Sequence, residues 1–238
     1  MSLLKKYLQG DAKQVYDEIY KLGKDAFKPA IYPIVESVLT ETFKRVSYNL
    51  AVIHDELVSS NYCFKTKCKY DFEHPLLKPL PDTENFLIHL DSSVKRVGYV
   101  PLSLKLFYKF VGSCNFTWDY DVAEENPWEG ADPMQIVPLN DLLSELEDFE
   151  DDDDFRELGI SADYLHKDNI SGGPAYSVEI TKKPQIDSQF LNEEHNTTFI
   201  NYLRIAMNNC GFSRPEAIRD KADFIEFCRK VRPKLYKI

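Results

Sequence analysis

The sequence predicts an α+β protein with a central antiparallel sheet flanked by helices and a helical N-terminal extension. Apolar residues recur at helical spacing through the first eighty positions, and short alternating segments separated by turn residues appear in the second half. Strands that follow one another through short turns favour an antiparallel sheet over a doubly wound parallel one. No repeat of fixed period is present, which disfavours a solenoid.

The helical N-terminal region is predicted to cover residues 1–80. Apolar residues in the range 4–22 fall near helical spacing, and Gly23 ends the predicted helix. A longer amphipathic helix is predicted over about 30–59. Prolines in the range 75–81 cannot continue a helix, so they mark the predicted boundary.

Residues 81–238 are predicted to form the α+β domain, with an acidic insertion near 145–154. Changes between helical and alternating apolar spacing predict helices at 82–98, 101–112, 138–146, 196–211 and 214–229, and strands at 116–120, 134–137, 175–181 and 186–190. The predicted core consists of Phe86, Leu90, Leu104, Phe107, Val111, Leu142, Val178, Phe199 and Leu203. The helical N-terminal third is expected to pack against this core.

The net charge of −10 is concentrated in the middle of the chain. Residues 81–212 carry 9 basic and 25 acidic side chains, a net charge of −16. A region with this negative charge repels phosphate backbones and attracts basic proteins. No nucleic-acid partner is therefore expected there. Only the C-terminal segment has the positive charge to contact a polyanion, although cations also suit a solvated helix end. Its basic residues are Arg229, Lys230, Arg232, Lys234 and Lys237.

Cysteine usage and the absence of a long apolar run favour a cytoplasmic protein. Basic and polar residues interrupt the N-terminal apolar stretch, and no apolar segment of ~18 residues follows, so neither a secretion signal nor a membrane span is expected. Five widely spaced cysteines favour free thiols over a disulfide framework. A zinc site built from Cys63, Cys68, His54 and His74 is the alternative, but no second cysteine pair follows.

The sequence predicts a partner-binding surface around two tryptophans and an acidic tract. Eight of the ten residues from Glu145 to Asp154 are acidic, which is typical of an exposed loop; a calcium loop is the alternative, but it would need a central glycine. A partly exposed Trp rimmed by carboxylates suits a cationic protein surface, although Trp residues are most often core. The predicted partner-binding residues are Trp118, Trp128, Glu129, Asp132, Asp151, Asp152, Asp153 and Asp154.

A metal-assisted hydrolase is the alternative function. If the loops around positions 161–174 and 192–196 meet, Asp163, His166 and His195 have the residue types to coordinate a metal ion or to act as acid and base. The other interpretation assigns these residues to helix caps and turns. Short catalytic motifs such as a phosphate-binding glycine loop are absent from the sequence, so no catalytic residue and no cofactor are predicted.

The middle of the chain resembles SUKH-type domains. The run DTENFLIHLDSSVKRVGYVPLSLKLFYKFVGSCNF is similar to their opening, where a helix ends at a glycine and a proline leads into a second helix. Here Gly98, Pro101 and Gly112 hold those positions. The later runs PMQIVPLNDLLSEL and NTTFINYL are similar to the strand-and-helix step and to the closing helix of the family, so the likeness covers about residues 82–208.

The resemblance implies a function without catalysis or cofactor. Domains of this type bind proteins, often as immunity proteins against a secreted bacterial toxin. The expected function is therefore a protein-binding module whose partner is a basic protein such as a toxin, with no membrane partner and an unassigned oligomeric state. An adaptor or scaffold that uses the helical N-terminal region is a further alternative.

Overall fold

The computed structural model describes residues 2–66, 74–146 and 155–238. Helices dominate and two small antiparallel sheets accompany them, which confirms the predicted α+β class and its helical N-terminal region. The helices are α1 (Leu3–Leu8), α2 (Ala12–Leu22), α3 (Tyr32–Ser59), α4 (Thr83–Val94), α5 (Leu102–Phe110), α6 (Leu139–Leu146), α7 (Tyr164–Lys167), α8 (Phe199–Asn208) and α9 (Ala222–Val231). The strands are β1 (Leu76–Leu77), β2 (Ser113–Asn115), β3 (Gln135–Ile136), β4 (Glu157–Ser161), β5 (Tyr176–Glu179) and β6 (Phe190–Leu191).

The N-terminal region consists of two short helices followed by a long one. The chain turns between α1 and α2 at Gly10, whose φ of 102° is costly for other residues, so the range 4–22 is not one helix. α3 spans 28 residues and has a proline in its first turn. It contacts α5, α8 and α9, and a single cluster of buried apolar residues runs from Tyr7 to Ile238.

The strands form two separate three-stranded antiparallel sheets instead of one central sheet. The strand orders are β1-β2-β3 and β4-β5-β6. One backbone hydrogen bond links the two sheets: the Val137 N–H, just after β3, donates to the Ile160 carbonyl in β4 at 2.9 Å. The strands are only two to five residues long, which leaves the helices to supply most of the core.

Two segments differ from their sequence-based predictions. The strand expected at 116–120 lies at Ser113–Asn115, and Trp118 makes only an isolated bridge with Phe64. A Cβ atom at Gly112, whose φ is 96°, would collide with the Leu77 carbonyl, so this glycine lets the chain enter β2 directly after α5. The last helix begins at Ala222, because a short 3₁₀ turn at Pro215–Ala217 precedes it.

The predicted core is largely confirmed. Eight of its nine residues are buried, and the remaining one, Phe86, is partly buried against the same cluster. β4 was not predicted; its alternating Leu158 and Ile160 pack inward while the strand pairs with β5. No helix within the described part of the chain combines the length and the apolar character needed to cross a membrane.

Candidate functional site

Trp128 lies inside the protein, and its predicted partial exposure is wrong. Only 5% of the residue is accessible to solvent. The indole N–H donates to the carboxylate of Asp223 at 3.0 Å. The ring is enclosed by an aromatic cluster at centroid distances of 5.0 to 5.6 Å, formed by Tyr62, Phe212, Phe224 and Phe227. Trp128 is therefore a core residue that cannot touch a partner directly.

Trp118 is also buried, which agrees with the core interpretation of this residue. Its ring packs edge-on against Tyr62 at a centroid distance of 5.0 Å, and it is 6% exposed. The indole N–H donates to the Ala123 carbonyl at 2.8 Å. Trp118 thus contacts the segment that leads to Trp128 from inside.

Asp132 belongs to a buried ion pair, so its assignment to a binding surface is wrong as well. Its carboxylate lies 2.6 Å from the ammonium group of Lys167, and both side chains are fully buried. The hydroxyls of Ser213 and Tyr176 donate to the other carboxylate oxygen at 2.6 and 3.1 Å. A buried carboxylate needs a cation and hydrogen-bond donors, and these three residues supply them.

The buried ion pair connects segments that are distant in sequence. Lys167 ends α7, Tyr176 begins β5, and Ser213 follows α8. Asp132 adopts a left-handed φ of 54°, a conformation that Asp tolerates better than most residues. Solvent does not reach the pair, which ties these three segments together in the interior.

The two histidines each pair with a neighbouring carboxylate. The His166 imidazole contacts Asp163, which also caps α7 by accepting the Leu165 N–H at 2.9 Å. Burial raises the pKa of Asp163, but the hydrogen bonds from His166 and Leu165 outweigh it and hold this pKa below its usual value. The His195 imidazole contacts Glu193, whose side chain is buried.

The predicted three-ligand metal site is not formed. Among the residues that the structure describes, no group of three His, Cys, Asp or Glu side chains is arranged to hold a metal ion. Asp163, His166 and His195 fall into two separate pairs, so the metal-assisted hydrolase lacks its coordination shell. The helix-capping interpretation of Asp163 is confirmed.

The alternative zinc and calcium sites fall partly outside the described residues. Cys68 and the acidic residues Asp151, Asp152, Asp153 and Asp154 lie in the ranges 67–73 and 147–154, which are not described. Cys63 is half-buried with its thiol 4.0 Å from the Asp119 carbonyl, and burial raises the pKa of that thiol. The His54 ring packs against Phe64 at 5.4 Å.

One exposed negative feature within the described ranges is the acidic loop, which we define as residues 119–129. Val122 at its tip is 75% exposed, the largest exposure of any large apolar side chain in the described residues. Four acidic residues of the same loop are exposed, Asp121, Glu124, Glu125 and Glu129. None of them forms an ion pair with a residue of the described ranges. Of the four predicted binding residues that the structure describes, Trp118, Trp128 and Asp132 are buried and Glu129 is exposed on this loop.

Hydrogen bonds fix the shape of the acidic loop. Asn126 accepts the Trp128 N–H at 2.9 Å and donates to the Tyr120 hydroxyl at 3.1 Å. That hydroxyl donates to Asp168 at 3.1 Å, and the other oxygen of Asp168 accepts the Gly130 N–H at 2.8 Å. Burial raises the pKa of Asp168 above its usual value, although these hydrogen bonds lower it in part. The loop is therefore a braced structure with exposed charges.

Comparisons with known proteins do not assign the chain to a family. No protein-family model matches the sequence, and neither a curated protein nor a solved structure matches it significantly. The resemblance to SUKH-type domains stays a prediction. The function of the chain is therefore inferred from its own contacts and charges.

Proposed function

We propose that the protein is a non-catalytic binding module that contacts a basic protein through the acidic loop. The observation that carries this proposal is a braced loop that presents four carboxylates and the apolar side chain of Val122 to solvent. The carboxylates supply the charge that attracts a cationic surface. Val122 supplies an exposed apolar contact in the same loop.

The charge of the surrounding region supports a basic partner. The net charge of −16 in residues 81–212 creates a negative potential that accelerates the encounter with a cationic protein. Asp223 is exposed next to the loop and is held there by Trp128. A partner that approaches the loop therefore meets this further carboxylate, beside the Lys221 ammonium group that contacts the Pro127 carbonyl.

The bracing of the loop also supports a binding role. A loop that is already ordered loses less conformational entropy when a partner binds, so more of the contact energy appears as affinity. Trp118 and Trp128, predicted as direct contacts, have a different role in this proposal. Trp118 donates to the Ala123 carbonyl of the loop, and the buried Trp128 ring anchors the end of the loop in the aromatic cluster. A charged loop without such support would be mobile.

The nature of the partner follows from the SUKH-type resemblance. Such domains bind proteins and often act in immunity, so a basic secreted toxin is the proposed partner. A cytoplasmic location fits this role, because an immunity protein protects the cell that produces it.

Neutralising the loop should slow the association with a basic partner. A synthetic lysine-rich peptide with a central leucine serves as the probe, and its association rate is measured by stopped flow at low and physiological salt. We expect the variant Glu124→Gln/Glu125→Gln/Glu129→Gln to associate about tenfold more slowly at low salt, with a weaker salt dependence.

The matched control neutralises three carboxylates elsewhere, at Asp11, Asp55 and Asp82, which are all exposed. Both variants change the net charge by the same amount, so a difference between them reports on the loop alone. Equal association rates for the two variants would show that only the overall charge matters, and the proposed site would be wrong.

A further inference from the structure

A groove on another face of the molecule combines positive charge with aromatic walls. The groove, which we call the α2–α8 groove, has a volume of about 840 Å³ and lies between α2, α8 and the segment 232–238. This volume is in the range of small-molecule sites, about 300–1,000 Å³. Neither the acidic loop nor either histidine pair lines it.

The charge of the groove is opposite to that of the protein. Four cationic side chains line it and only one acidic side chain, Asp17, faces them. The four side chains belong to Lys13, Arg204, Arg232 and Lys237. None of them makes an ion pair with a residue in the described ranges. In a chain with a net charge of −10, such a group of unpaired cations on one concave surface favours an anionic ligand.

Arg204 is placed to recognise an oxyanion. Its guanidinium stacks over the Tyr16 ring at 4.2 Å, and its Nε–H donates to the Ile238 carbonyl at 3.1 Å. Nη1 donates to Asn201 at 2.7 Å, whereas Nη2 is buried without a hydrogen-bond partner within the described residues. A buried donor without a partner is unfavourable, so a carboxylate or phosphate oxygen that reached Nη2 would form a strong, charge-assisted hydrogen bond with it.

The groove walls suit a flat apolar body. Tyr20 and Tyr236, which are 38% and 54% exposed, line the groove, and Tyr16, which is buried, packs behind Tyr20 at a centroid distance of 5.7 Å. The walls are held firmly. The Tyr16 hydroxyl donates to Thr42 at 2.8 Å, and the Tyr20 hydroxyl donates to buried Asp187 at 3.1 Å. The Asn49 side chain forms hydrogen bonds with both the N–H and the carbonyl of Tyr236.

We infer that the α2–α8 groove binds a small molecule with an oxyanion group on a flat aromatic body. The oxyanion lies between Arg204, Lys13 and Lys237, and the aromatic body lies against the exposed rings of Tyr20 and Tyr236. This site is independent of the proposed protein-binding loop, since the two share no residue.

Calorimetric titration of the full chain tests the inference with three probes. We expect 1-naphthoate to bind with a Kd below about 1 mM, and the neutral analogue 1-naphthylmethanol to bind at least about tenfold more weakly, because it lacks the charge. Inorganic phosphate should also bind more weakly, because it lacks the aromatic body. Binding of 1-naphthoate no tighter than that of either other probe would overturn the inference.

Charge variants locate the binding. Lys13→Gln/Lys237→Gln should weaken 1-naphthoate binding by about tenfold, since both side chains line the groove and bond to no other described residue. The control Lys24→Gln/Lys95→Gln removes the same charge from exposed positions outside the groove and should leave the Kd unchanged. Equal effects of the two variants would contradict the site. Because none of these four side chains is buried, both variants should stay folded.

Discussion

The substitution Lys167→Met is expected to lower the free energy of unfolding by about 3–5 kcal/mol. Lys167 and Asp132 form an ion pair with no solvent access, and removal of the cation leaves a buried carboxylate without its compensating charge. Asp132 would keep the hydroxyl donors of Tyr176 and Ser213, which are insufficient to replace the ammonium group. Urea denaturation of the two proteins measures the difference.

The double variant Lys167→Met/Asp132→Asn is the control for this prediction. It removes both charges, and Asn tolerates the left-handed φ of position 132. The double variant should therefore be more stable than Lys167→Met alone, because no uncompensated charge remains buried. If Lys167→Met instead lowered the free energy of unfolding by less than about 1 kcal/mol, the carboxylate of Asp132 would have to be solvated. The ion pair would then not be buried as described.

The substitution Trp128→Ala is expected to cost about 3–5 kcal/mol of folding stability, the usual range for removing a large buried aromatic ring. The ring packs against four other aromatic residues, so its loss leaves a cavity at the base of the acidic loop. Thermal and chemical denaturation measure this effect directly. The sequence alone places Trp128 on the partner-binding surface, where its loss would weaken binding.

Trp128→Phe separates packing from hydrogen bonding. It keeps a ring in the cluster and removes the N–H that bonds Asp223, so it should cost less than half as much as Trp128→Ala. A Trp128→Ala protein within about 0.5 kcal/mol of the parent would mean that the residue is exposed, since surface substitutions have effects of that size.

Local patterns in the sequence were sufficient to predict most helices. Apolar spacing identified α3 to α6 and α8 closely, because helical periodicity depends only on nearby residues. It did not predict the division of the strands into two sheets, since pairing of strands as short as β1 and β3 is decided by the surrounding helices. The last helix was predicted too long because Pro215 was placed inside it.

The site residues were harder to predict because their environments are set by distant partners. Trp128 is buried by Tyr62 and by three phenylalanines located more than 80 positions later in the sequence. Asp132 resembled a surface carboxylate until the fold placed Lys167, 35 positions away, against it. By contrast, Asp163 and His166 are only three positions apart. Their contact therefore lies within one local cluster of polar residues that is visible in the sequence.

The groove has no sequence signature for the same reason. Its cations come from α2, α8 and the C-terminal segment, which are separated by more than 190 positions at the extremes. The basic C-terminal residues were visible in the sequence, and two of them, Arg232 and Lys237, line the groove. Their meeting with Lys13 and Arg204 depends on the packing of the C-terminal segment, through its backbone, against Arg45, Asn49 and Arg204.

Photo-crosslinking from position 122 tests most directly whether the acidic loop binds a basic protein. A benzophenone amino acid replaces Val122 in cells that naturally produce the protein, and Ile88, 65% exposed on α4, serves as the control position. We predict a covalent adduct with a protein rich in Lys and Arg from position 122 only, and its loss in the background Glu124→Gln/Glu125→Gln/Glu129→Gln. Equal capture from both positions, or capture that survives neutralisation of the loop, would contradict the proposed function.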